Sequence, residues 1–314
     1  MEMKGPRRRS FLKQLAASAA ALPFAMDRVE AARLGWTKQV GLELYTVRDL
    51  TPKDFEGTVA KVAGIGYKEV EPASQSYGGL EPKEFRALLD RYGLTMPSTH
   101  IGAQDGPDLE QQLEGFQTMG IRYTEVRPVR ESTPSRTQRR GAPPPVTEES
   151  VKRTAEELNR HGRIVAKFGM KMLYHNHAPE FQPFEGSSLR PYDILLSGTD
   201  PSLVAMQLDI GWASVAGQDV IGMFHKNPGR FELWHVKDAR GIHNLPASLN
   251  QRERMREITL VPVGQGEVDY RAIFAQAELA GLKHFCIEQD NAAAWGDSMA
   301  AAKVSYQALV KLLS

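Results

Sequence analysis

Two histidines separated by one residue, His175 and His177, close the short apolar run Met170–Tyr174, and Glu180 follows His177 by three positions. Side chains two apart on a strand point the same way, so a strand ending here aims both imidazoles into whatever its tip lines. A lone histidine at such a place is usually a cap or a surface residue. Here the arrangement recurs: other apolar runs end in Glu43, Glu71, His100, Glu125, Asp209, His235 with Lys237 and Asp238, and Glu288 with Gln289 and Asp290. Burying those groups without a counter-ion costs several kcal/mol each, and one divalent metal ion offsets that cost for the whole set. Mixed imidazole and carboxylate donors suit manganese, zinc, cobalt or iron better than calcium, and the sequence does not choose among these or magnesium. Lys237 shares a strand face with His235, so its ammonium reaches the same space; a salt bridge to an acid such as Asp290 is the plainer alternative.

These residues need a scaffold that brings many strand ends together. From Val40 onward short apolar runs alternate with longer amphipathic ones, the rhythm of a parallel sheet with crossover helices. Eight runs read as strands: Val40–Tyr45, Lys68–Glu71, Thr95–His100, Tyr123–Arg127, Lys171–His175, Val204–Asp209, Glu232–Lys237 and Phe285–Glu288. Helical patterns fall at Asp54–Ala63, Pro82–Tyr92, Asp108–Met119, Glu148–Phe168, Tyr270–Ala280 and Asp297–Leu313, with Gly64, Gly93, Gly120, Gly169 and Gly281 as expected left-handed caps. Residues 38–314 therefore suggest a single-domain (β/α)8 barrel, whose carboxyl-terminal face would gather every tip residue. A doubly wound open sheet is disfavoured because no glycine-rich dinucleotide motif follows the first strand. Two polar connections, Arg130–Val146 and Ala239–Arg256, follow strands and are expected over the mouth as lids or as contacts of a homo-oligomer. Gly264 and Gly266 could cradle a phosphate, but a tight turn is the simpler expectation. Tyr45, Trp212 and Trp234 are candidates for an apolar wall against a ring, with plain packing as the alternative. Arg48 and Arg127 could meet an anion or pair with the acids.

Composition narrows the classes. The 314 residues are 41% hydrophobic and 25% charged, as in a globular protein with an ample core. The single cysteine, Cys286, excludes an intrachain disulfide. No run approaches the roughly 18 apolar residues of a spanning helix. The amino terminus reads differently: Arg7-Arg8-Arg9-Ser10-Phe11-Leu12-Lys13 precedes an alanine-rich stretch, the order of regions in an export signal. Its R-R-x-F-L-K pattern resembles a twin-arginine signal over residues 1–25, which implies export of a folded protein to the periplasm. Residues 1–25 carry +4 of the formal +1, leaving −3 on the remainder, a poor balance for binding nucleic acid.

Six segments, V-G-L-E-L-Y-T-V-R at Val40–Arg48, Y-H-N-H-A-P-E-F at Tyr174–Phe181, Q-L-D-I-G-W at Gln207–Trp212, H-V-K-D at His235–Asp238, V-G-Q-G-E-V-D at Val263–Asp269 and I-E-Q-D at Ile287–Asp290, together resemble the xylose-isomerase-like TIM barrels, the sugar isomerases, epimerases and inosose dehydratases. The resemblance implies one divalent metal. Carried over, its ligands fall on Asp209, His235 and Glu288, with the family's first glutamate replaced by His175; His177 and Glu180 are the alternatives for that place. It also implies proton removal beside a carbonyl, with Glu71 and Glu288 as candidate bases and His100, His177 and Lys237 as alternatives for proton delivery or for steadying a leaving oxygen. A carbohydrate isomerase or epimerase is the first expectation, a lyase or dehydratase on a keto-sugar, keto-glycoside or cyclitol the second. A repair nuclease would want several metals, a basic groove and a cytoplasmic address.

Overall fold

The computed structural model describes residues 35–73, 77–128 and 145–314. The export signal expected at residues 1–25, and residues 130–144 of the first polar connection, lie outside the described residues. Ten strands are described: β1 (Gly41–Glu43), β2 (Glu69–Glu71), β3 (Ser98–Asp105), β4 (Tyr123–Pro128), β5 (Lys171–His175), β6 (Val204–Asp209), β7 (Leu233–Val236), β8 (Asp238–Arg240), β9 (Thr259–Val261) and β10 (His284–Ile287). All but β8 and β9 form one parallel sheet in the order β2-β1-β10-β7-β6-β5-β4-β3. A bridge between Glu69 and Thr95 joins its two edges, and the His100 amide donates to Pro72 O at 2.9 Å, so the sheet curls into a TIM barrel.

Both faces of this sheet are covered, which is why its strands read as continuous apolar runs. β6 is buried at all six positions. Inside the barrel Tyr123, Leu173, Ala205 and Leu233 pack into a cluster of their own. Two residues further along the same strand faces stand Glu125, His175, Gln207 and His235, and two beyond the last two come Asp209 and Lys237. The interior thus changes from apolar to ionisable over one step of the strand period. This places the chemistry at the carboxyl ends.

The helices are α1 (Phe55–Ile65), α2 (Pro82–Arg91), α3 (Leu109–Met119), α4 (Glu148–Val165), α5 (Pro191–Gly198), α6 (Ile210–Val215), α7 (Val220–Lys226), α8 (Gln251–Glu257), α9 (Tyr270–Phe274), α10 (Ala277–Ala280) and α11 (Ser298–Leu313). Several sequence expectations need correction. α1 runs through Gly64, and Gly66, with φ +127°, ends it. The helix expected over Tyr270–Ala280 breaks into α9 and α10. The third strand begins at Ser98, not Thr95, and shifts register between Thr99 and Ala103. The polar connection Ala239–Arg256 is not plain loop: β8 pairs antiparallel with β9, and α8 lies between them. Arginine and glutamate hid that helix, and β9 is only three residues long.

Asp238 organises this hairpin. Its carboxylate accepts the amides of Ala239 (2.9 Å), Gly264 (2.9 Å), Gly266 (3.0 Å) and Val268 (3.2 Å). Gly264 and Gly266 therefore spend their amides on a protein carboxylate, as a tight turn does, and a Cβ on Gly266 would stand 2.1 Å from Asp238 Oδ1. Removing the acceptor leaves the buried Ala239 amide unpaired, at about 1–3 kcal/mol before relaxation, and frees three part-buried amides at less each. Asp238→Ala should accordingly lower stability by about 2–4 kcal/mol, read as an earlier urea midpoint with an unchanged slope.

Candidate active site

His235 stands at the centre of the barrel mouth. Its Nε2 lies 2.6 Å from Glu71 Oε1, and its Nδ1 lies 2.8 Å from Glu288 Oε2 and 3.4 Å from Glu43 Oε2. Burial alone would lower its pKa, but the carboxylates of Glu43 and Glu71 outweigh that and push it up to about 10. Those carboxylates favour the protonated ring as long as no cation takes the proton's place. His100 is held in the same way, with Nδ1 3.0 Å from Glu125 Oε1 and Nε2 2.8 Å from Gln207 Oε1 and 3.0 Å from Glu71 Oε1. Against the burial penalty, Glu71 and Glu125 hold its pKa well above the usual range. Arg127 in turn clamps Glu125 through Nε (2.8 Å) and a terminal nitrogen (2.6 Å).

Glu71 is saturated: His235, His100, Ser98 Oγ and Gln207 Nε2 (2.8 Å) all contact its two oxygens. Burial pushes its pKa up, yet His100 and His235 hold it well below a normal carboxyl. Glu288 is likewise held low, by Lys237 and His235 against burial. Glu43 behaves oppositely. Burial and the nearby Glu288 push it well above its usual value.

Lys237 is 0% exposed, with its Nζ 3.0 Å from Asp209 Oδ2, 2.9 Å from Glu288 Oε2 and 2.8 Å from Asp290 Oδ2. The salt bridge to Asp290 expected as the plainer alternative is present, and the same ammonium also meets Asp209 and Glu288. Asp209 also caps α6, its Oδ1 accepting the Trp212 amide at 2.7 Å. Gly211 lets that helix start so close, because a Cβ there would meet Lys237 O at 2.5 Å. Burial raises Asp209, Lys237 pulls it back, and it settles at about 6. His175 and His177 are shifted in the opposite direction to His100 and His235. Burial and His235 hold His175 well below its usual value, and desolvation with Lys237 takes His177, at the exposed rim, to about 4.

Donor atoms of Glu43, His235 and Glu288 lie within 4.8 Å of one another, as do those of His100, His175 and His235 and those of Glu43, Glu71 and His100. Glu43 Oε2 and His175 Nδ1 are buried without hydrogen bonds, while Asp209 Oδ2 is ion-paired to Lys237. Imidazole and carboxylate donors this close together, two of them unsatisfied, fit a divalent cation.

Residues 59–305 match the xylose isomerase-like TIM barrel family. The chain belongs to that family. It is 28% identical to an inosose dehydratase of Geobacillus kaustophilus over 237 residues, 69% of this chain and 74% of the relative. Among solved structures it resembles a sugar phosphate isomerase/epimerase from Parabacteroides distasonis (TM-score 0.65, 21% identity, 86% of this chain and 96% of that one). It also resembles the IOLI protein, solved with a zinc atom (TM-score 0.62, 13% identity, 88% and 98%). The two structural likenesses agree with the TIM-barrel fold, and the donor groups make the barrel mouth a candidate His/Glu metal site.

Within this xylose isomerase-like barrel the structure brings Glu71, His100, His175, Asp209, His235, Lys237 and Glu288 into one connected cluster at the carboxyl ends of the strands. Asp209 stands apart from the three tight donor groups, 3.9 Å from His175 Nε2 and facing Lys237. His177 lies at the rim, its ring centre 4.9 Å from that of His175 and 6.4 Å from that of Trp212. Glu180 is turned back onto its own turn, accepting the His177 amide at 3.0 Å. Trp234 is core, stacked on Phe224 at 5.1 Å. Sequence reasoning left Glu43 as an unassigned tip residue, and it missed Ser98 and Gln207. Each of the last two precedes a chosen residue by two positions, so the strand period was the available signal. No helix among the described residues is long and apolar enough to cross a membrane.

Proposed function

We propose that the protein is a divalent-metal-dependent lyase acting on a keto-sugar, keto-glycoside or keto-cyclitol. The observation that carries this reading is the pairing of unlike groups at the barrel mouth: a buried ammonium, Lys237, and two imidazoles, His175 and His177, held below their usual pKa. Elimination needs that inequality, an acceptor for the proton beside the carbonyl and a donor for the oxygen that leaves. The similarity to an inosose dehydratase supports it. A metal held by His175, Asp209, His235 and Glu288, with Glu43 alongside, would supply Lewis-acid polarisation of the substrate's oxygens.

His177, neutral and reachable from solvent, takes the proton from the carbon next to the carbonyl. The freed electron pair forms the carbon–carbon double bond as the bond to the β-oxygen breaks. Lys237 donates a proton to that oxygen, and the proton on His177 returns to the enclosed amine through its carboxylate partners Asp209, Glu288 and Asp290. Glu71, with its lone pairs already engaged, holds His100 and His235 in place. The twin-arginine-type pattern at Arg8–Lys13 supports a site of action outside the cytoplasm.

An isomerase or epimerase is the second reading, favoured by Glu71 and Glu288 on opposite nitrogens of His235. Product mass separates the two. The metal-loaded protein, incubated with a keto-cyclitol, a ketose and a keto-glycoside, should give a conjugated ketone lighter by one water or by the departing alcohol, and chelator should stop it. A product of unchanged mass would replace the lyase with the isomerase.

A further inference from the structure

Two large apolar side chains are conspicuously exposed among the described residues, Val146 and Trp295. Trp295, 45% exposed, ends the short 3-10 turn Ala292–Trp295 between β10 and α11 and so lies on the face that carries the cavity. Hydrogen bonds hold this turn: Ala294 N–H donates to Asn291 O (2.9 Å), Gly296 N–H to Ala293 O (3.2 Å), and Asn291 Nδ2 to Leu260 O (3.0 Å). The segment begins inside the site, where Asp290 meets Lys237. Arg48 ties a second turn to it, donating to Asp290 O at 2.6 Å and to Tyr45 O at 2.8 Å while its guanidinium lies 4.0 Å over the Tyr45 ring. Gln289 N–H reaches Thr46 Oγ1 at 3.1 Å.

An indole left half in water on a hydrogen-bonded turn keeps apolar surface that a ligand could cover. Its amphipathic ring suits a surface that is apolar on one face and wet at its edge, as a pyranose presents. Trp295 follows Asp290 by five residues, so the turn that carries it starts at a residue in contact with Lys237.

We propose that Trp295, beside the Tyr45–Arg48 pair, forms a second sugar subsite that holds the leaving half of a keto-disaccharide whose keto ring occupies the cavity. This rests on the lyase reading. The bond that breaks joins the keto ring to the second sugar, which departs as an alcohol after taking one proton; no oxidant or reductant is consumed.

Trp295→Ala and Trp295→Phe in the full metal-loaded protein test it. Trp295→Ala should raise KM for a keto-disaccharide about tenfold with kcat unchanged, leave the kinetics of a keto-cyclitol untouched, and Trp295→Phe should retain most of the affinity. Equal effects on both substrates, or none, would overturn the subsite. Binding is read separately by tryptophan fluorescence during titration with cellobiose. A change present in the parent and absent from Trp295→Ala supports the subsite even if no keto-sugar is turned over, in which case the lyase reading alone falls. No change in the parent, or one that survives in the variant, removes the subsite.

Discussion

Lys237→Met should lower kcat by about 10²–10⁴, the usual range for a positioned proton donor, and should cost about 3–5 kcal/mol of stability, because it strands buried charges. The ammonium is fully enclosed and serves Asp209, Glu288 and Asp290 at once. Without it the three acids keep their burial penalty and lose their nearest cation. A metal ion added to the variant should recover part of the stability but not the proton, so the thermal midpoint would rise while turnover stays low. An unchanged kcat would remove Lys237 from the reaction.

The stability loss carries a pH signature. Glu288 is held well below its ordinary value by Lys237 and His235. A carboxyl whose folded pKa is depressed contributes stability that is fully present above its unfolded value, near 4.3, and is lost as pH falls through the folded value. The gap between the parent and Lys237→Met should therefore be widest near neutrality and narrow below about pH 4.3. Urea midpoints across that interval measure it.

The barrel was legible because each strand is buried on two sides and announces itself as an apolar run ending in a polar residue. Period two then located most of the cavity, from Glu71 to Glu288. What escaped depends on contacts between distant segments. That Glu43 stands beside Glu288 follows from β1 pairing with β10, a neighbour relation set by barrel closure rather than by local pattern. Likewise Glu71 looks like a free base at its strand tip, and only the convergence of Ser98, His100, Gln207 and His235 shows it to be saturated. β8 and β9 were invisible for another reason. They are three residues each and are held by Asp238 binding amides some 26 residues away, which composition does not encode.

Metal affinity should climb steeply with pH. A histidine binds a cation through a neutral nitrogen, so a protonated ligand must release its proton as metal enters. His235 carries both protons while its folded pKa stands at about 10. Between about pH 7 and 9 each unit should therefore tighten binding roughly tenfold if His235 alone titrates, and more steeply where the carboxyl of Glu43 is protonated as well. The metal-free fold should respond in the opposite sense. With a folded value of about 10 above an unfolded value near 6.5, the stability contributed by His235 is complete below about 6.5 and drains away as pH rises through about 10. Zinc or manganese titrations at several pH values, paired with urea midpoints in chelator, test both slopes on one preparation. His235→Gln should abolish stoichiometric metal and flatten the alkaline loss, since an amide keeps the volume without titrating. Retention of metal at full stoichiometry by that variant would move the centre of the site away from His235, toward Glu43, Glu71 and His100, whose donor atoms form the neighbouring group.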